Sequence, residues 1–219
     1  MPAIRVLPGS DAAAALDACA AALDAGSVVA LPTRRWYMLC ADSTDPVACR
    51  RIFDAKGRPA GKPLALVMPS TAAVAARFTF SPAAARLAER LWPGDLALLL
   101  PWRNPEDGRR HPWLGEGAAM VTRDPGLLGD LAARTRNPPA TSVVSRSDGR
   151  TPQRRAPALS PAAVQAFAEA YDAPVELLVD GGVCPLGVGL TVVDCAAEPT
   201  VVRVGAVHPR AVEAALGEP

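Results

Sequence analysis

Residues 175–206 read VELLVDGGVCPLGVGLTVVDCAAEPTVVRVGA. Three apolar runs rich in β-branched residues, VELLVDGG, LTVVDCA and TVVRVGA, follow one another with Gly, Pro and polar turns between them. Such runs predict strands, and strands this close in sequence predict one sheet. Upstream the pattern alternates. Asp11–Ala25 predicts an amphipathic helix, started by Ser10 or Asp11 and stopped by Gly26, and SVVALPT a buried strand ended by proline. Asp45-Pro46 opens a second helix, with Val47, Cys49, Ile52 and Phe53 at helical spacing. PLALVMPS, DLALLLPW, AAMVTRDP and ATSVV predict further strands. Thr71–Arg77, Ser81–Leu91, Leu127–Arg134, Ser160–Tyr171 and Pro209–Leu216 predict further helices. Alternation that ends in clustered strands implies an α/β class: a twisted mixed sheet flanked by helices. The expected organisation is a single domain over 1–219, with its core at about 10–207 and no internal repeat. Arg103–Gly117 and Ser145–Pro157 read as long polar loops, past the about 12 residues at which loops are commonly lids or disordered segments. The second carries Arg146, Arg150, Arg154 and Arg155 and reads as either a solvated loop or a lid over an anion.

The composition narrows the function classes. A net charge of +1 supplies no global field for nucleic acid or membrane, so anion binding must be local. No run approaches the ~20 apolar residues of a membrane span, and the N-terminus lacks a secretory pattern. Five cysteines without a CxxC pair, and two distant histidines (His111 and His208), give little support to a metal site; the cysteines read as small buried apolar side chains. A reducing cytoplasmic setting is expected. Of 23 basic residues only Lys56 and Lys62 are lysines, both within DAKGRPAGKPL. Lysine and arginine differ as phosphate ligands, so their clustering marks this segment.

The chemistry sits in short motifs. GxGxxG, the P-loop and GxSxG are absent, which removes the commonest nucleotide cradles and the nucleophile elbow. What remains is LPTRRWYML at 31–39, AKGRP and KPL within 55–64, LWPGDLALLL at 91–100, ATSVVS at 140–145, GLTVVD at 189–194 and VVRVGA at 201–206. In this order they resemble the YrdC-like family of threonylcarbamoyl-AMP synthases, whose motifs read PT-(D/E)-T-x-YGL, KxRP with PL, LWPGxxT, SAN, STVVD and RxG. The resemblance spans nearly the whole chain. It implies an α/β twisted sheet with a large concave groove and a carbamoyl-adenylate chemistry, hence a role in threonylcarbamoyladenosine modification of tRNA. The implied reactants are ATP with Mg2+, bicarbonate as co-substrate, and an amino acid. Catalysis would be positioning and charge neutralisation, with no side-chain nucleophile.

The resemblance assigns Lys56 and Arg58 to the KxR pair as catalytic phosphate ligands. It adds Arg203, Ser142 and Thr141 at the ATP phosphates. Thr33, Arg34, Arg35, Tyr37, Lys62, Arg123 and Thr191 are expected at the substrate, and no residue at a metal. The departures fall on polar positions. Arg34 and Arg35 replace an acid and a threonine, Trp36 and Met38 are bulky, and Val144, Leu190 and Ala97 replace Asn, Ser and Thr. Lost hydrogen-bonding partners weaken threonine, and two gained cations favour a ligand with extra negative charge. Strand alternation would put Arg34 and Arg35 on opposite faces. A retargeted paralogue with a different amino acid or carbamate is one alternative. Another is a non-catalytic nucleotide or RNA-binding module, with Arg34, Arg35, Arg123 and the 146–155 arginines as a phosphate track. Small-molecule partners, a possible RNA contact and no membrane complete the expectation.

Overall fold

The computed structural model describes residues 4–147 and 156–217; Arg150, Arg154 and Arg155 lie outside them. The strands are β1 (Arg5–Pro8), β2 (Val28–Pro32), β3 (Tyr37–Asp42), β4 (Ala65–Val67), β5 (Leu96–Pro101), β6 (Ala118–Thr122), β7 (Pro139–Val143), β8 (Val175–Asp180), β9 (Thr191–Asp194) and β10 (Thr200–Arg203). They form one mixed sheet in the order β1-β8-β2-β3-β7-β4-β6-β5-β9-β10. The three strands of the opening stretch share this sheet, but six strands separate β8 from β9, and β8 has β1 and β2 as parallel neighbours. The expected mixed α/β architecture is observed.

The helices are α1 (Ala12–Asp24), α2 (Pro46–Lys56), α3 (Thr71–Arg77), α4 (Pro82–Leu91), α5 (Pro105–Arg110), α6 (Leu127–Ala132), α7 (Pro161–Tyr171) and α8 (Pro209–Gly217). Local chemistry explains their ends. Asp45, Ser70, Ser81 and Ser160 accept from the first-turn N–H groups of α2, α3, α4 and α7, three of which begin with proline. Two strands lie outside the sequence reading. β1 is a four-residue run that gains its identity only by pairing with β8. β3 follows β2 after a four-residue turn, which the sequence reading had merged into a strand end. The expected loop 103–117 instead holds α5 and a 3-10 turn at Pro112–Leu114, because Asn104-Pro105 is itself a helix start.

The two faces of the sheet are covered unequally. One face packs Leu39, Leu66, Leu98, Val121 and Val193 against α2, α3, α4, α7 and α8 in the main core. On the other, α1 and α6 cover Val29, Leu31, Met38 and Cys40, the half that contains β2 and β3. Beyond them the same face continues as Ala97, Leu99, Met120 and Val192, with no helix in that cluster. A twisted sheet covered over only half of one face leaves a concave groove over the rest. The five cysteines are free and buried, and among the described residues no helix is long and apolar enough to cross a membrane.

Candidate functional site

The groove floor is built by strand alternation. Leu96, Leu98 and Leu100 of β5 enter the main core, so Ala97 and Leu99 lie on the groove side, where Leu99 is half-buried and Ala97 is fully covered. Cross-strand register sets Ala97 beside Val192 and Thr122, then Leu99 beside Met120. Four cations stand at the rim of this floor: Arg58, Lys62, Arg146 and Arg203 line a cavity of about 620 Å³ with Leu99, Met120, Val192 and Val202.

Each cation is delivered by a defined turn. Gly57 takes a left-handed φ of 55° at the end of α2, a conformation that releases the chain toward Arg58. The Arg58 guanidinium donates to the carbonyls of Lys62 (2.7 Å) and Pro63 (2.8 Å), fixing the loop that carries Lys62. Arg203 donates from Nε to Leu190 O (3.1 Å). Gly205 makes that contact possible, because a Cβ there would lie 2.2 Å from Gly189 O. Arg146 donates to Ala55 O (3.0 Å) and sits 4.6 Å over the Tyr171 ring. Burial and then the Arg203 charge lower the Arg58 pKa, and burial lowers that of Arg203. The rim therefore holds like charges close together.

Lys56 lies behind this rim. It is fully buried, and its ammonium donates to the carbonyls of Val143 and Ser145, while Ser147 N donates to Lys56 O (2.8 Å). It thus pins the segment that carries Arg146. Burial, then Arg58 and Arg146, push its pKa down to about 7, while the two carbonyl acceptors favour its charged form. Between about 7 and the ordinary 10.5, the unfolded chain keeps a Lys56 proton that the folded chain releases, so stability rises with pH. Above 9.0 the slope reverses: burial holds Cys19 protonated to about 11 and Cys195 to about 12, whereas the unfolded thiols ionise. Denaturation midpoints measured across the pH range are expected to peak near pH ~9. Lys56→Met should remove the rising limb; an unchanged limb would show that Lys56 stays charged throughout.

At the far end of the groove the structure departs from the sequence reading. Residues 33–36 form a turn rather than a strand end. Thr33 Oγ1 donates to Trp36 O (2.9 Å) and accepts from the N–H groups of Arg35 (3.1 Å) and Trp36 (3.2 Å). Alternation does not apply inside a turn, so Arg34 and Arg35 converge instead of diverging. Both guanidiniums bond to Asp95, one on each carboxylate oxygen, and Arg35 also donates to Asp124 Oδ2 (3.0 Å). Arg35 is 2% exposed, and Asp95 and Asp124 are 8% exposed. Two acids balance two cations, so the expected gain of positive charge is cancelled. The cluster is a brace joining the β2–β3 turn to the ends of β5 and β6, across two intervening strands. Asp95 and Asp124 were not foreseen, although Asp95 lies inside the quoted LWPGDLALLL motif and Asp124 near the end of the quoted AAMVTRDP run.

The remaining expected residues have structural bonds. Tyr37 OH donates to Gly182 O (2.9 Å) and accepts from Gly181 N (3.2 Å). Thr191 Oγ1 donates to Val207 O (2.6 Å) and accepts from Gly205 and Val207 N–H. Arg123 reaches Thr71 Oγ1 (3.2 Å) and Pro69 O (3.3 Å), while its buried Nε has no partner among the described residues. Thr141 faces the groove side of β7 and donates to Ala65 O (3.2 Å). Ser142 pairs in register with Leu39 and so turns toward the opposite, helix-covered face. Val144 is absorbed into the main core. Of the expected residues, the structure gathers Arg58, Lys62 and Arg203 at one rim with Arg146. It places Arg34 and Arg35 in the brace and Lys56 beneath the rim. The arginine track of the RNA reading is therefore broken at Arg34 and Arg35.

Comparison with known proteins agrees with this architecture. Residues 21–205 match the Sua5/YciO/YrdC family profile, described as telomere recombination. Curated relatives named threonylcarbamoyl-AMP synthase occur in Pyrococcus abyssi (30% identical over 200 residues, 88% of this chain and 54% of the relative) and in Bacillus subtilis strain 168 (30% over 204 residues, 90% and 55%). The chain thus spans about half the length of these relatives. The crystal structure of P. abyssi Sua5 complexed with L-threonine superposes with a TM-score of 0.80 at 27% identity, covering 99% of this chain and 61% of that one. The groove, the ordered motifs and the profile match over most of its length together show that this chain belongs to the Sua5/YciO/YrdC family.

Proposed function

We propose that the chain forms a carbamoyl-adenylate. An amino acid's amine takes up carbon dioxide derived from bicarbonate and loses a proton. A carbamate oxygen then attacks the α-phosphorus of ATP, the bond to the bridging oxygen of the β-phosphate breaks, and pyrophosphate leaves. The observation that carries this reading is the rim: Arg58, Lys62, Arg146 and Arg203 around one cavity of about 620 Å³. Mutually repelling cations over an apolar floor suit a triphosphate, which relieves their repulsion and concentrates donors where charge develops. The relatives' names, and the L-threonine held by the P. abyssi protein, support an amino acid as the second reactant.

The donor set suits a nucleotide-borne magnesium. Among the described residues no group of three His, Cys, Asp or Glu could hold a resident metal ion. Magnesium would enter on the triphosphate, neutralise part of its charge, and leave orientation to the arginines. The buried free thiols suit a reducing compartment, and we assign the chain to the cytoplasm.

Purified protein with ATP, magnesium, bicarbonate and a panel of amino acids is expected to release pyrophosphate and yield one carbamoyl-adenylate, read by mass spectrometry. ATP binding without any adenylate would sink the synthase reading and leave a nucleotide-binding protein.

A further inference from the structure

Arg146 is held at the rim by an aromatic ring. Its guanidinium donates to Ala55 O (3.0 Å), and the guanidinium carbon stands 4.6 Å over the centroid of the Tyr171 ring. Tyr171 is the last residue of α7 and is half-buried against the main core. One turn earlier Phe167, 8% exposed, lies 5.2 Å from it, ring to ring, so the core fixes the tyrosine's orientation from below. Ala55 O belongs to the last turn of α2, the negative end of that helix. Charge alone would not keep Arg146 in place. Arg58 and Arg146 both act on Lys56, so three cations stand close together beside the cavity that Arg146 lines.

We propose that Tyr171 is a positioning residue for the nucleotide's phosphates, its ring holding Arg146 at the rim against the repulsion of its neighbours. The inference rests on the adenylate-forming reading above and adds a residue that lies in none of the quoted motifs. The physical reason is the kind of anchor a ring provides. Cation–ring attraction acts on the charge as a whole and requires no lone-pair acceptor. A guanidinium has five N–H donors, so a ring spares for phosphate oxygens those that further carbonyl anchors would use up. Arginine also carries much rotamer entropy, and a side chain ordered beforehand loses less of it when the phosphates arrive. The Tyr171 hydroxyl makes no hydrogen bond among the described residues, so the ring face is the working part.

The test measures pyrophosphate affinity by titration calorimetry, which needs no turnover. Tyr171→Leu is expected to weaken it by about 3- to 10-fold, and Tyr171→Phe to stay within about twofold of wild type. In an Arg146→Ala background Tyr171→Leu should cost less than about twofold, because the cation it anchors is gone. A ring that only supported α7 would weaken binding equally in both backgrounds. Where Tyr171→Leu does not fold, phenylalanines with successive ring fluorines at 171 keep the ring's shape and drain its negative face. Affinity should then fall with each fluorine. Tyr171→Leu binding like wild type, Tyr171→Phe as weak as Tyr171→Leu, an equal loss in both backgrounds, or affinity blind to fluorination each overturns the inference. All four leave the phosphate site standing. No pyrophosphate binding by the wild type overturns the rim reading and the inference together.

Discussion

Replacing Arg58 by alanine is expected to lower kcat/KM for ATP by about 10²- to 10³-fold, measured as pyrophosphate release. Two losses combine. The guanidinium is a half-buried charge at the rim, where its field is less screened than on open surface. Its donations to Lys62 O and Pro63 O also hold the loop that presents Lys62, so alanine frees a second cation to wander. Arg58→Lys separates the two. It keeps a charge but cannot make the paired donation from a planar fork, and should recover only about tenfold of the loss. Arg203→Ala, at an exposed residue with one backbone bond, should cost less than Arg58→Ala. The same order is expected for pyrophosphate affinity, which is read without turnover. Arg58→Ala activity within threefold of wild type would remove the phosphates from this rim.

Much of the fold was legible because periodicity and punctuation are local. Thr71–Arg77 has the predicted bounds, and α2, α4 and α7 begin one residue after their predicted caps. β1 and β3 were not legible, since one is defined by a distant partner and the other is separated from β2 only by a turn. The rim was half legible. Lys56, Arg58 and Lys62 share one motif, but burial sends Lys56 to two backbone carbonyls behind the rim and leaves Arg58 in it. The brace was misread for a different reason. Arg35 finds Asp95 60 residues away and Asp124 89 residues away. A count of local charge sees two added cations and misses the acids that the sheet's curvature brings to them. Ala97 and Leu190, noted in sequence as lost polar groups, pack with Val192 into one buried apolar cluster, a contact that their distance in sequence hides.

Arg35→Ala should destabilise the protein by about 3–5 kcal/mol, seen as a lower denaturation midpoint. The size comes less from the lost pair than from what remains: Asp95 and Asp124, both nearly buried, would face each other's charge without the cation between them. Arg34 cannot substitute, since its side chain is 60% exposed and reaches only Asp95. Removing the three buried members of the cluster is a different experiment. In Arg35→Met/Asp95→Leu/Asp124→Asn the charges go together, the Asn keeps an acceptor for Gly126 N, and most of the loss should return. A triple variant as unstable as Arg35→Ala would mean that geometry, not charge, makes the brace necessary. A stable triple variant that still binds ATP through the opposite rim would show that the groove's two ends are energetically separate.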